Sequence, residues 1–262
     1  MNLATSPRRL PQPSLKIPQT DAIFEHRQQL NREADAQPHV LRVSIDAKDA
    51  KARVKVGPFA RGGKSRSHPQ ASDHDFKPEA TLTPVGLFLP AFDDVSFYGV
   101  LSKVTSDCLV DCLTQWWESV GQWFAHISTL VINLDKGPEN HSRRTQFRQR
   151  MVDFVHDTGL HVRLAYYPPY HSIYNPIERC GGILATHWNG ALLDSVEAVL
   201  AYARTMTWKG LNSTVELVTN IYHSGVKLTQ EAMHKIEKQI ERLSGLETGF
   251  VDSHPSHHGW DT

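Results

Sequence analysis

Cysteine is scarce in this chain. Its 262 residues hold three: Cys108, Cys112 and Cys180. An odd, sparse set argues against a disulfide framework and for a reducing compartment. Cys108 and Cys112 stand one helical turn apart, yet no second ligand pair accompanies them. That spacing favours buried thiols over zinc. Long apolar runs are also missing, and nothing approaches the roughly 20 residues that a membrane span requires. Neither charge is in excess, with 28 Lys and Arg against 28 Asp and Glu. These absences exclude a disulfide-stapled secreted scaffold and a helical membrane protein, and they predict a soluble, cytoplasmic chain.

The charge that is present is unevenly placed. Residues 42–66 carry Arg42, Lys48, Lys51, Arg53, Lys55, Arg61, Lys64 and Arg66 against only Asp46 and Asp49. A second basic cluster is Arg143, Arg144, Arg148 and Arg150. Local basic faces on a neutral protein suit a polyanion held through its phosphates, although solvated surface charge explains either cluster taken alone.

Prolines 7, 11, 13 and 18 mark residues 1–22 as a disordered tail. Ile23 to Ala34 reads as a short polar helix. Leu41, Val43 and Ile45 alternate with Arg42 and Ser44, a strand ending at Asp46. Ala52, Val54 and Val56 predict a second strand, paired with the first in a hairpin. Gly62 to Lys77 reads as a loop, and strands return at Val85–Leu89 and Val95–Leu101. Thr105 can cap a helix to about Val120. Thr129 to Leu134 is almost wholly apolar, as a central strand covered on both faces reads, and it ends at Asp135. Ser142 to Thr158 predicts a helix stopped by Gly159, followed by a strand over Leu160–Ala165. Further helices are expected over Ser195–Thr207 and Thr229–Leu243. The folded region therefore divides into a main domain over 23–208 and a C-terminal helical extension over 209–248, with a disordered tail over 249–262.

Three acids stand out by position. Asp46 and Asp135 each end a strand, and Glu178 opens a helix behind Tyr166-Tyr167-Pro168-Pro169-Tyr170-His171-Ser172-Ile173-Tyr174-Asn175-Pro176-Ile177. Sites gather at the carboxyl ends of strands in α/β sheets, and a charge there needs water, a partner or a metal. Three such acids are what a two-Mg²⁺ phosphoryl-transfer site requires. Glu178 has a competing explanation. With Asn175 as N-cap and Pro176 at the first helical position, Glu178 at the third completes a capping box that needs no chemistry.

Together the motifs point further. Asp135-Lys136-Gly137-Pro138-Glu139-Asn140-His141 follows the Thr129–Leu134 strand, and Glu178 lies 43 positions after Asp135. This arrangement resembles the DDE transposases and integrases of the ribonuclease H-like superfamily. The Pro-Pro-Tyr…Asn-Pro-Ile-Glu block is similar to the third-acid motif of the Tc/mariner group. Ser44-Ile45-Asp46-Ala47-Lys48 is similar to the first-acid strand of insertion-sequence transposases of the ISAzo-thirteen type.

The resemblance implies an α/β fold, with a mixed five-stranded ribonuclease H-like sheet flanked by helices. It implies Asp46, Asp135 and Glu178 as catalytic ligands of Mg²⁺, with Mn²⁺ able to substitute, and Asn140 and Asn175 as supporting residues. Lys48, Arg143, Arg144, His171 and Arg179 would contact DNA, both element ends and target, in a homo-oligomer on that DNA. A bacterial copy would be nucleoid-associated. The alternatives are a nuclease or resolvase of the same fold, or a catalytically dead DNA-binding remnant. Two departures from the family pattern are Lys136 beside the second acid and Gly181-Gly182 after the third. The proline-rich start, in place of a helix-turn-helix region, is expected of a truncated copy.

Overall fold

A computed structural model of the protein describes residues 20–47, 53–58, 77–137, 139–140, 144–168, 171, 174–223, 228–242, 244 and 249–255. At its centre lie five strands: β1 (Val40–Ala47), β3 (Ala80–Leu89), β4 (Asp94–Val100), β5 (Thr129–Leu134) and β6 (His161–Tyr166). They run side by side in the order β6-β5-β1-β3-β4. The strands β1, β5 and β6 are parallel, and β3 is antiparallel to both of its neighbours. These five strands form the mixed sheet flanked by helices expected from the sequence, and among the described residues further strands extend it to nine.

Period-two alternation divides its two faces. Leu41, Val43 and Ile45 of β1, with Leu130, Ile132 and Leu134 of β5, pack under α2 (Ser106–Val120) and α3 (Thr145–Thr158). Their partners on those helices include Leu109, Leu113, Trp116, Met151 and Phe154. Cys108 and Cys112 are free thiols buried in this layer. Thr105 caps α2 by accepting from the Cys108 backbone N–H at 3.3 Å. Gly159 ends α3 at φ 70°, a left-handed value that costs glycine little.

The opposite face carries α4 (Pro176–His187), α5 (Val196–Arg204) and α1 (Thr20–Ala36). Ile177, Leu184 and Trp188 are buried against Phe88 and Phe97. Each such side chain contributes about 1.5–3 kcal/mol on leaving water. Ile23, Leu30 and Ala34 of α1 pack on Val131 and Ala165. The helix expected from residue 23 thus begins three residues earlier, and Thr20–Ala22, assigned from sequence to the tail, form its first turn. Residues 1–19 and most of the loop expected over 62–77 lie outside the described residues.

Three sequence expectations are corrected. The short strand β2 (Val54–Val56) pairs with β3, not with β1, because its Val54 and Val56 complete the apolar layer beside Leu82. The chain beyond 209 adds more strand than helix. There β9 (Thr214–Val218) extends the sheet parallel to β4, and α6 (Gln230–Glu237) stops well short of residue 243. Finally, Phe250–Ser253, read as part of a disordered tail, forms β11, antiparallel to β6 and paired in turn with β10 (Ile240–Arg242). Phe250 and Val251 are buried, and that apolar contact is what orders the segment. Two-residue strands β7 (Thr207–Trp208) and β8 (Leu211–Asn212) form a separate hairpin. Among the described residues no helix is long and apolar enough to cross a membrane.

Candidate active site

The register of β1 against β5 places the first two acids. The last pairs along these parallel strands are Ser44 with Asn133 and Ile45 with Leu134. The next residue on each chain is an acid: Asp46 and Asp135. Adjacent strands lie about 4.8 Å apart. Since Ile45 and Leu134 face α2 and α3, alternation turns both carboxylates to the other face, the one that carries α4. Asp46 is 9 % exposed.

Glu178 arrives from that same face. Asn175 is the N-cap residue of α4 and Pro176 its first residue, as expected, but the Asn175 side chain makes no capping hydrogen bond. Its Nδ2 instead donates to the carbonyl of Ile45 at 3.2 Å. The asparagine half of the capping box is therefore absent. The amide ties the start of α4 to the strand residue that precedes Asp46. Gly86 helps, lying opposite Asp46 in the register with β3. A β-carbon there would stand 2.8 Å from Ile177 Cδ1, so only glycine lets the first turn of α4 rest on the sheet at this point.

Electrostatics record the convergence. Burial, opposed in part by the Asn140 amide, raises the Asp135 carboxyl above its ordinary pKa, and the negative charge of Glu178 raises it further. Asn140 Nδ2 donates to Asp135 Oδ1 at a long 3.4 Å. The loop after β5 is pinned from two sides. Tyr166 Oη donates to the Asn140 carbonyl at 2.9 Å, and Ser106 Oγ donates to the Glu139 carbonyl at 2.5 Å.

The donor set fits a hard divalent cation. It is all oxygen, and two of its carboxylates repel one another. Asn140 Oδ1 is buried and has no hydrogen-bond partner. It gathers with Glu139 Oε2 and Asp135 Oδ1 around Gly137, at 3.0, 3.4 and 3.7 Å from the point that a β-carbon would take. The three acids are not drawn within 4.8 Å of one another, a separation that among the described residues only His161, Asp252 and His254 achieve.

A family model described as the Rhodopirellula transposase DDE domain matches residues 6–250. The chain belongs to this family. No protein of curated function matches it. Among solved structures, this DDE domain is similar to the Mos1 mariner paired end complex with Mn, at 13% identity and a TM-score of 0.46. That match covers 76% of this chain and 57% of the Mos1 chain. It is also similar to the HTLV-2 integrase catalytic core domain in complex with magnesium, at 14% identity and a TM-score of 0.35, over 67% of this chain and 92% of that one. The DDE domain thus spans under two thirds of the length of the Mos1 chain.

The basic residues are less uniform than their clustering implies. Arg148 is buried and paired with Glu237, while Arg150 pairs with Asp107 at 3.3 Å and with Asp111. The stretch from 144 to 150 is therefore not one open basic face, because α3 turns Arg148 and Arg150 toward acids on α2 and α6. Arg144 Nε donates to Ser106 Oγ at 3.0 Å. His171 is buried, 5 % exposed, with its ring edge-on to Phe24 at 5.2 Å. Arg179, next to Glu178, is exposed. Lys48 and Arg143 lie outside the described residues.

Sequence reasoning missed the brace behind the third-acid loop. Arg27 of α1 is buried with its guanidinium 3.9 Å from the centre of the Tyr167 ring. Phe24 meets both His171 and Tyr174. The signal was available: Ile23, Arg27, Leu30 and Ala34 recur at helical spacing, and an arginine on an otherwise apolar stripe asks for an aromatic or acidic partner.

Proposed function

We propose that this domain cleaves DNA strands and joins their 3′ ends to new DNA, as the catalytic part of a transposase. One observation carries the reading. Asp46 and Asp135 each follow the last register pair of two neighbouring parallel strands, and an asparagine bonded to the first of those strands anchors the helix that carries Glu178. Asp46, Asp135 and Glu178 would hold Mg²⁺, or Mn²⁺ in its place, with Asn140 oriented toward the same site. When bound, two such ions activate the attacking oxygen and stabilise the leaving 3′ oxygen. The chain's own contribution is positioning. Asn175 and Ile177 fix the start of α4, and the pinned loop after β5 fixes Asp135. No side chain is required to bond covalently to DNA.

The partners are element ends and target DNA, held through phosphates in an assembly of more than one copy. Arg179 is the exposed cation nearest the third acid in sequence, with Lys48, Arg143 and Arg144 completing the contact set.

The test combines nicking with joining. A supercoiled plasmid carrying the element's terminal repeats is incubated with Mg²⁺ or Mn²⁺, and joined products are sequenced. Metal-dependent nicking and joining that Glu178→Gln and Asp46→Asn both abolish is expected. Nicking without joining would mark a nuclease or resolvase instead. Wild-type rates in Glu178→Gln would overturn the mechanism.

A further inference from the structure

At the far end of β6 from the acids, three ligand side chains come together. His161 is the first residue of β6, Asp252 lies on β11 facing Arg163, and His254 follows directly after β11. One nitrogen from each histidine and one oxygen of Asp252 lie within 4.8 Å of one another. The two imidazoles stack, with ring centres 3.8 Å apart and planes 15° from parallel. His161 Nε2 is buried and makes no hydrogen bond, although Asp252 Oδ2 lies 3.9 Å away. From His161 to Tyr166 the strand spans on the order of 17 Å, so this cluster cannot share ions with the acids.

We propose that His161, Asp252 and His254 form a transition-metal site, of the Zn²⁺ class, that clips the C-terminal strand to the sheet. Two imidazole nitrogens and one carboxylate make a borderline-soft set that Zn²⁺ takes readily and Mg²⁺ does not. Donors around a tetrahedral ion lie roughly 3.3 Å apart, so the cluster need contract only slightly. An ion cannot lie in the planes of two parallel rings at once, so one ring must turn. His254 is exposed and one residue past the strand end, and its rotation costs little. His161 and Asp252 are held by the β6–β11 ladder. Burial, and next the neighbouring His254, keep the His161 imidazole below its ordinary pKa, which favours the neutral form that binds metal. Glu241, paired with Asp252 across β10 and β11, adds negative charge. Arg163 opposes the ion, since its Nε already donates to Asp252 Oδ2 at 3.2 Å. Both contacts fall on Oδ2, so an ion either competes with Arg163 for that oxygen or takes Oδ1 after the carboxylate turns.

The site would decide how firmly β10 and β11 stay on the sheet edge. A clip joining residues 161 and 254 closes the end of the ladder where Ser253 faces Val162. The experiment is calorimetric titration of the whole chain with Zn²⁺ in millimolar Mg²⁺, Co²⁺ absorption as a report of tetrahedral geometry, and thermal melting. One equivalent should bind, the Co²⁺ spectrum should be tetrahedral, and the melting temperature should rise. His254→Ala, at an exposed position past the strand end, should weaken binding at least about tenfold and remove the rise. Arg163→Gln should tighten binding. Replacing the tail residues His257 and His258 by alanine should change nothing. Absence of binding, unchanged binding in His254→Ala, or loss of binding in the tail variant would each overturn the site. None of these outcomes bears on DNA cleavage.

Discussion

Asn175 donates its side-chain amide to the backbone carbonyl of Ile45, across 130 residues of chain. The bond ties the helix that carries Glu178 to the strand that carries Asp46. Asn175 is fully buried, and its Oδ1 has no partner, so the side chain is committed to this one contact. A capping asparagine would instead satisfy the N–H groups of its own helix.

That distinction gives the first prediction. Asn175→Ser supplies a good N-cap but is too short to reach Ile45. If the residue is a tether, the variant loses DNA cleavage by about 10–100-fold, the range for residues that orient metal ligands. Stability falls by roughly 1–3 kcal/mol, the cost of a buried acceptor left without its donor. Denaturant melts and nicking rates check both figures. Full activity in Asn175→Ser would restore the capping explanation.

Gly86 makes a second. A methyl group there would press on Ile177 Cδ1 at 2.8 Å and Cγ1 at 2.9 Å. Gly86→Ala should destabilise by about 1–3 kcal/mol through overpacking. Ile177→Val removes Cδ1, so the double variant should recover part of the loss. Additive effects in a double-mutant cycle would show that the two residues do not press on each other.

Asp135 provides a third, in which the sign depends on metal. Its folded pKa is raised, by burial first and by Glu178 as well. Between the ordinary carboxylate value and the raised one, the native state holds more protons than the unfolded chain. Stability therefore falls as pH rises through that window. At neutral pH without divalent ions, Asp135→Asn should melt higher than the wild type. Addition of Mn²⁺ should raise the wild type more than the variant and narrow or reverse the gap. Equal Mn²⁺ shifts in the two proteins would remove Asp135 from the ligand set.

The paired glycines after Glu178 give a fourth. The helix α4 runs unbroken through Gly181 and Gly182, so they do not interrupt it. Gly181 is buried, whereas Gly182 is exposed and a β-carbon there meets nothing within 4 Å. Gly182→Ala should stabilise by up to about 1 kcal/mol through helix propensity alone. A substitution at Gly181 with a bulky aromatic should be destabilising, because that side of the helix is covered. Thermal melts of the two variants should move in opposite directions.

Most of the central architecture was legible in the residues themselves. Alternation in Leu41–Ile45, the apolar run Thr129–Leu134, the cap at Thr105 and the stop at Gly159 are local signals, and each element formed where they placed it. The three acids could be picked out for the same reason, since each ends or begins an element with a readable boundary. Other features depended on contacts between distant parts of the chain. The pairing of β2 with β3 instead of β1 follows from which apolar layer Val54 and Val56 can complete. The strand at Phe250–Ser253 exists because β6 offers an edge and α1 covers Phe250. Asn-Pro-Ile-Glu carries the same residue types whether it caps a helix or anchors one. Only the approach of the Ile45 carbonyl, brought close by the packing of α4 on Gly86, selects the anchor. Sequence determines elements through interactions a few residues long, whereas hydrogen-bond partners from distant segments are assigned only when the layers close.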